Sequence, residues 1–359
     1  MGTEIPLTAP AGVTASAAWE GAFTRIEKKF PPDYYWHWTP EGWEWGKTGV
    51  NSTTTKQALS DLLVSIPART AAGANFTFAT CGWELGPVDD KSYFDDVLPV
   101  EVEALSSIDQ RVGWSDVDPV YAEVKREKWV IPWMEDDPHL IGSELWANRP
   151  LDHVRDAKKY GATGVLGIHW RTLETSLTIR AMAESSWADN VTVEGLYLDF
   201  TTNVFGPAAA KEAADIFVSL DSWLTKDWTA PPSEGCVDCS SKMPSSGFTC
   251  CAHFTPPASL IDLTPFAFAD SFFALRPTVA AQPNSGERLR HFDEWAYQFR
   301  YHRSIAEFQN TLFYLNENMT AIKALPTAAQ RKTAAQTQGL AALSAASRSY
   351  ELLMDNLLT

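Results

Sequence analysis

Acidic residues that follow short aromatic runs are the feature of this chain best suited to chemistry. The run Asp33–Trp38 (DYYWHW) leads into Glu41, Trp43 and Glu44. Asn75–Cys81 (NFTFATC) leads into Trp83 and Glu84, and Ala104–Asp109 (ALSSID) ends on Asp109 with Arg111 just beyond. Lys128–Met134 (KWVIPWM) carries Trp133 and runs into Glu135, Asp136 and Asp137. Gly164–Trp170 (GVLGIHW) carries His169 and Trp170 and runs into Arg171. Acids after successive runs, each beside or near a tryptophan, point to a shared carboxylate site. The plainer reading is scattered loop acids and helix N-caps.

Carboxylates gathered in a cleft acquire separated pKa values, because like charges and desolvation push one above the other. Cleavage of a glycosidic bond needs that separation: one protonated acid for the leaving oxygen, and one ionised base or nucleophile across the ring. Glu41 is the expected general acid, since a Pro40-Glu41-Gly42 turn directly after a strand projects one carboxyl outward. Glu135 or Asp136 is its expected partner, with Glu84 and Asp109 as further candidates. Trp43, Trp83, Trp133 and Trp170 offer flat faces for sugar rings. His169 and Arg171 are placed to hold hydroxyls or a sugar carboxylate, although His169 equally reads as a core histidine bonded to a backbone carbonyl. Neither a metal nor a cofactor is expected. Glu135, Asp136 and Asp137 are consecutive, so their side chains diverge, and no His-x-x-x-His pair, G-x-S-x-G elbow, P-loop or dinucleotide fingerprint occurs.

The elements that must position these residues alternate. Lys56–Ala68 and Pro150–Tyr160 read as helices between the runs, with Leu59, Leu62, Leu63 and Ile66 at helical spacing in the first. Apolar strands alternating with helices imply parallel pairing through right-handed crossovers. The expected class is α/β. A (β/α)8 barrel fits better than an open doubly wound sheet, because no glycine-rich phosphate turn follows an early strand. A sixth strand at Val193–Asp199 (VEGLYLD) and a strand end at Gly2–Leu7 complete the strand inventory. In a parallel barrel the site lies at the C-terminal ends of the strands, where the acids cluster. After Phe205-Gly206-Pro207 the pattern becomes helical: Ala208–Leu224 carries Ala209, Ala213, Ile216, Leu220 and Trp223 on one stripe. Two long helices follow Arg288, with Phe292, Trp295, Phe299, Phe308, Leu312, Leu315, Met319 and Ile322 as a packing stripe. The expected domains are therefore 1–206 and 207–359, with a cysteine-bearing loop at 226–260.

The chain has 359 residues, 45% of them hydrophobic, and a formal charge of −16. That composition supports a large core, and the negative field excludes nucleic acid and anionic membrane as partners. No apolar run is long enough to span a bilayer. Fifteen tryptophans fit a carbohydrate-handling surface. Cys236, Cys239, Cys250 and Cys251 read as two disulfides stapling the loop, with zinc ligation the alternative. Sequons stand at Asn51, Asn75, Asn190 and Asn318. Together these features fit a secreted glycoprotein, with no signal peptide visible at the start.

Several short motifs resemble a known family. They are Gly2-Thr3-Glu4-Ile5-Pro6-Leu7, Asp33-Tyr34-Tyr35-Trp36 with Thr39-Pro40-Glu41-Gly42-Trp43, Cys81-Gly82-Trp83, Glu135-Asp136-Asp137-Pro138 and Gly167-Ile168-His169-Trp170-Arg171-Thr172. They look like the barrel of glycoside hydrolase-like proteins related to α-glucuronidases and β-hexosaminidases. The Phe205-Gly206-Pro207 turn into an alanine-rich helix is similar to the helical domain after the barrel in α-glucuronidases. The resemblance covers roughly Gly2 to Leu224. It implies that 1–206 holds about strands 3 to 8 of a TIM-type barrel lacking its first strands, and that an N-terminal part of the same protein is a partner. The implied activity is hydrolysis of a polysaccharide or oligosaccharide; the alternative is a non-catalytic carbohydrate-binding or scaffold protein on a degenerate barrel.

Overall fold

The computed structural model describes residues 2–4, 11–38, 48–82, 84–108, 116–134, 145–169, 175–225, 257 and 259–358. The chain forms two compact units, Met1–Trp133 with Leu151–Ile168, and Met134–Pro150 with His169–Thr359. Residue 206 falls inside the second unit, where the helices on either side of it pack on each other.

The first unit holds β1 (Gly2–Glu4), β2 (Tyr34–Trp38), β3 (Thr77–Gly82), β4 (Val102–Ser107), β5 (Glu127–Val130) and β6 (Gly164–Val165). All neighbours are parallel and the strand order follows the chain, β1 to β6. Tyr34 pairs with Thr77, Ala79 with Ala104, Ala104 with Glu127 and Trp129 with Gly164; a bridge from Trp133 to Ile168 prolongs the last pairing. The helices are α1 (Ala15–Lys29), α2 (Thr53–Ala71), α3 (Tyr93–Val97) and α4 (Asn148–Lys159). Thr14 caps α1 by accepting the Ala17 N–H, and Ser52 caps α2 by accepting that of Thr55.

Burial alternates along β2 with the pleat. Tyr35 and His37 are buried on the face that meets α1 and α2. There Phe23 lies 5.0 Å from Tyr35 and 5.2 Å from Phe76, and Trp19 lies 5.0 Å from His37. Tyr34, Trp36 and Trp38 occupy the opposite, half-buried face. That face is concave. The Tyr34 hydroxyl on β2 donates to Glu127 Oε2 on β5 at 3.2 Å, and its ring lies 5.0 Å from that of Trp129. Three strand spacings, about 14 Å on a flat sheet, would hold these groups apart. The Trp36 indole N–H likewise reaches over β3 to Ser106 Oγ on β4 at 2.9 Å.

The second unit is helical where described: α5 (Ser176–Trp187), α6 (Val193–Phe205), α7 (Pro207–Thr225), α8 (Phe268–Phe273), α9 (Arg276–Ala280), α10 (Ser285–Ala324), α11 (Ala328–Ala334) and α12 (Leu340–Leu358). The strand expected at Val193–Asp199 is thus the start of a helix. Thr192 accepts the Gly195 N–H, and Leu196, Tyr197, Thr201 and Phe205 form a buried helical face that a seven-residue window misses. Between α6 and α7, Gly206 has φ +85°, and a Cβ there would lie 2.2 Å from Gln282 Oε1. Gln282 occupies that space to bind the Phe205 carbonyl at 2.9 Å and the Ala208 N–H at 3.3 Å. Phe205, Phe217, Phe272, Phe292, Trp295 and Phe299 make the unit's aromatic core, with Phe272 and Phe292 stacked at 4.4 Å. Of the expected stripe on α10, Phe292, Trp295, Phe299, Phe308 and Ile322 are buried and Met319 is exposed.

In each unit a buried group has a strongly shifted pKa. His37 is 2% exposed, and burial lowers its pKa to about 3 from the usual 6.5. The unfolded chain therefore takes up a proton that the fold refuses, so stability present above pH 6.5 is lost as pH falls toward 3. Asp221 runs the other way. Burial raises it to about 6, although Tyr197 Oη–H at 2.8 Å, the Asn148 N–H at 3.1 Å and Arg149 oppose the shift. Its contribution is full below pH 3.8 and is lost as pH rises through 6. From pH 6.5 to 4.5, urea unfolding followed by pulsed hydrogen exchange should show the first unit losing about 2–3 kcal/mol while the second holds or gains. His37→Phe should abolish the first unit's loss, because Ser65 Oγ keeps its bond to the Leu62 carbonyl. Equal acid loss in wild type and variant would contradict this assignment.

Candidate active site

Parallel pairing brings the C-terminal ends of all six strands to one edge of the sheet. Trp38, Gly82, Ser107 and Val130 end β2 to β5 there. In the sequence, Glu41 and Trp43 come after β2, Trp83 and Glu84 after β3, Asp109 after β4, and Glu135 and Asp136 after β5. Trp170 and Arg171 come after β6. Glu41, Trp43, Trp83, Asp109, Glu135, Asp136, Trp170 and Arg171 lie outside the described residues, as do Arg111 and the cysteines of the 226–260 loop.

Glu84, Trp133, His169 and Arg149 are described. Glu84 sits on a tight turn: a Cβ on Gly86 would lie 2.5 Å from the Lys91 carbonyl oxygen, so only glycine permits this closure. The turn brings the Lys91 ammonium to 3.3 Å from Glu84 Oε2 and into contact with Asp118. Burial alone would lower the Lys91 pKa, but the hydrogen bonds and charges of Asp118 and Glu84 outweigh it and hold the amine above its ordinary value. One expected catalytic carboxyl, Glu84, is therefore paired with the Lys91 cation.

Trp133 is 8% exposed and its indole N–H donates to the Ile108 carbonyl at 2.9 Å. Its place is that of a strut between the ends of β4 and β5. His169 is exposed. Arg149 is buried, with its guanidinium 4.1 Å over the Trp146 ring.

Behind this edge, the concave face is layered along the strands. Tyr34, Glu127 and Trp129 form the layer at the N-terminal end, where Glu127 Oε1 also accepts from the Trp129 indole at 3.2 Å and from Thr163 Oγ1 at 2.9 Å. Glu127's charge, then its hydrogen bond, raises the Tyr34 pKa. Trp36 and Ser106 form the next layer; the Ser106 hydroxyl in turn donates a hydrogen bond to the Thr80 carbonyl at 2.9 Å. Trp38, with its ring 5.0 Å from Trp36, stands nearest the C-terminal edge. The sequence signal for this aromatic face is the period-two spacing of Tyr34, Trp36 and Trp38.

Among the described residues there is no group of three or more His, Cys, Asp or Glu side chains able to hold a metal ion. None of their helices is long and apolar enough to cross a membrane. No protein-family model matches the chain, and no curated protein matches it either.

The Trp133 strut has a stability signature. Trp133→Phe leaves the buried Ile108 carbonyl without its indole donor, and should cost about 1–3 kcal/mol in urea unfolding. An unchanged unfolding midpoint would show that the indole serves a ligand and not the fold.

Proposed function

We propose that the chain is a secreted glycoside hydrolase of the (β/α)8 barrel type, related to α-glucuronidases and β-hexosaminidases. It acts on a polysaccharide or oligosaccharide through paired carboxylates. The observation that carries the reading is the concave parallel sheet whose strand order follows the chain, with side chains of β2 and β5 meeting across it. Neighbouring strands in chain order, helices outside and side-chain layers inside are the design of such a barrel. Its chemistry is done at the C-terminal edge, and the acid-and-tryptophan segments follow the strand ends in sequence.

Within this reading Glu41 is the general acid, and Glu135 or Asp136 the base or nucleophile. Glu84 and Asp109 are supporting carboxylates, and Lys91 stands 3.3 Å from Glu84. Trp38, Trp43, Trp83 and Trp170 stack on sugar rings, while His169 and Arg171 bind hydroxyls. Secretion is supported by the exposed positions of Asn51, Asn75 and Asn190 within sequons. The competing reading, a carbohydrate-binding protein without turnover, draws on the tie of Glu84 to Lys91, which occupies one carboxylate with structure.

A panel of aryl glycosides and oligosaccharides separates the two. Hydrolysis that falls by ~10²–10⁴ in Glu41→Gln, with the fold intact and good leaving groups partly spared, is expected for a general acid. Binding without turnover would favour the competing reading, and full activity of Glu41→Gln on a natural glycoside would remove Glu41 from its role.

A further inference from the structure

Helix α5 ends on Trp187, whose side chain is 92% exposed, more than any other large apolar residue among those described. Leaving an indole in water forgoes the stabilisation that burial gives. Trp187 borders an open depression of about 580 Å³, shared with Asn190, Val191, Thr192, Gly195 and Leu196. Three of these residues, Asn190-Val191-Thr192, are an N-glycosylation sequon, and Asn190 is exposed. The indole therefore stands three residues before the acceptor asparagine, across a short turn, with space between them for more than one pyranose ring.

We propose that Asn190 carries an N-linked glycan whose first N-acetylglucosamine lies on the Trp187 indole and fills this depression. The turn is fixed at both ends. The Ala188 N–H closes α5 on the Glu184 carbonyl at 2.9 Å, and Thr192 Oγ1 caps α6 by accepting from Gly195 at 3.1 Å. The Thr192 hydroxyl is engaged only in the fold, so the cap does not compete with attachment to the nascent chain. Attachment is a transfer from a lipid-linked oligosaccharide pyrophosphate. The bond from the anomeric carbon to the pyrophosphate oxygen breaks, the bond to Asn190 Nδ2 forms, an amide proton goes to base, and the lipid pyrophosphate leaves. An apolar face of the pyranose ring then covers the indole, as aromatic platforms do for sugars.

The other three sequons lack this arrangement. Asn318 lies within α10 and its Nδ2 donates to the Tyr314 carbonyl at 2.7 Å. Asn51 and Asn75 are preceded at the same spacing by Thr48 and Ala72, neither of which is aromatic. Asn190 is thus the site at which a glycan is seated, and not only attached.

This inference rests on the secretory part of the proposed function and is independent of the hydrolase part. The full chain, expressed behind a secretion leader in a eukaryotic host, is mapped by mass spectrometry, whether the translocated protein is secreted or retained. Asn190 should be occupied. Hydroxyl-radical labelling of Trp187 should be several-fold slower in the glycosylated protein than after enzymatic removal of the glycan. Trp187→Ala should make the Asn190 glycan several-fold more sensitive to endoglycosidase under native conditions. An unoccupied Asn190, or a Trp187 labelled equally fast with and without the glycan, would overturn the proposal. Loss of glycoside hydrolysis would not bear on it.

Discussion

The contact of Tyr34 with Glu127 and Trp129 constrains everything else in the first unit. Side chains stand roughly perpendicular to a sheet, so residues three strands apart on a flat one cannot meet. Here a hydrogen bond at 3.2 Å and a ring contact at 5.0 Å join β2 to β5 over β3 and β4. The sheet must curl toward the face that bears Tyr34, Trp36 and Trp38. Once it does, the opposite face is convex, and α1 and α2 have the outer surface to cover. The same curl brings β2 and β5 toward each other on that face.

The curl also explains how aromatic residues are distributed. The convex face uses Phe23, Phe76 and Phe78, with Tyr35, in a dry core. The concave face is half-buried, and there the rings carry polar tips. Trp36 donates to Ser106, Trp129 to Glu127, Tyr34 to Glu127, and Trp133 to the Ile108 carbonyl near the strand ends. Tryptophan and tyrosine suit such a surface because their bodies pack while their N–H or O–H groups find partners. Part of the high tryptophan content is therefore spent on building the sheet.

Much of this architecture was legible from the sequence. The apolar runs at Asp33–Trp38, Asn75–Cys81, Ala104–Asp109 and Lys128–Met134 each overlap a strand, because a strand with helices outside and side chains inside is apolar or aromatic on both faces. Val193–Asp199 misled for the same reason: a short apolar run has no periodicity long enough to separate helix from strand, and the Thr192 cap and Phe205 lie beyond it. The site was less legible. The tie of Glu84 to Lys91 depends on a turn that only Gly86 permits, and the reach of Tyr34 to Glu127 depends on curvature. Neither leaves a local pattern in the chain. Trp133 has the type and position of a platform, but it is buried and its indole is tied to the Ile108 carbonyl just past β4.

The central claim is that β2 and β5 touch across a concave sheet, and a double-mutant cycle on Tyr34→Phe and Glu127→Gln tests it most directly. Each substitution keeps its side chain's shape, so the cycle isolates the bond between them. Urea unfolding at pH 7 should give a coupling energy of about 0.5–1.5 kcal/mol, as for other hydrogen bonds with a charged acceptor that water partly reaches. Strictly additive effects would mean that the two residues do not meet, that the sheet is open, and that the barrel-type site has lost its foundation.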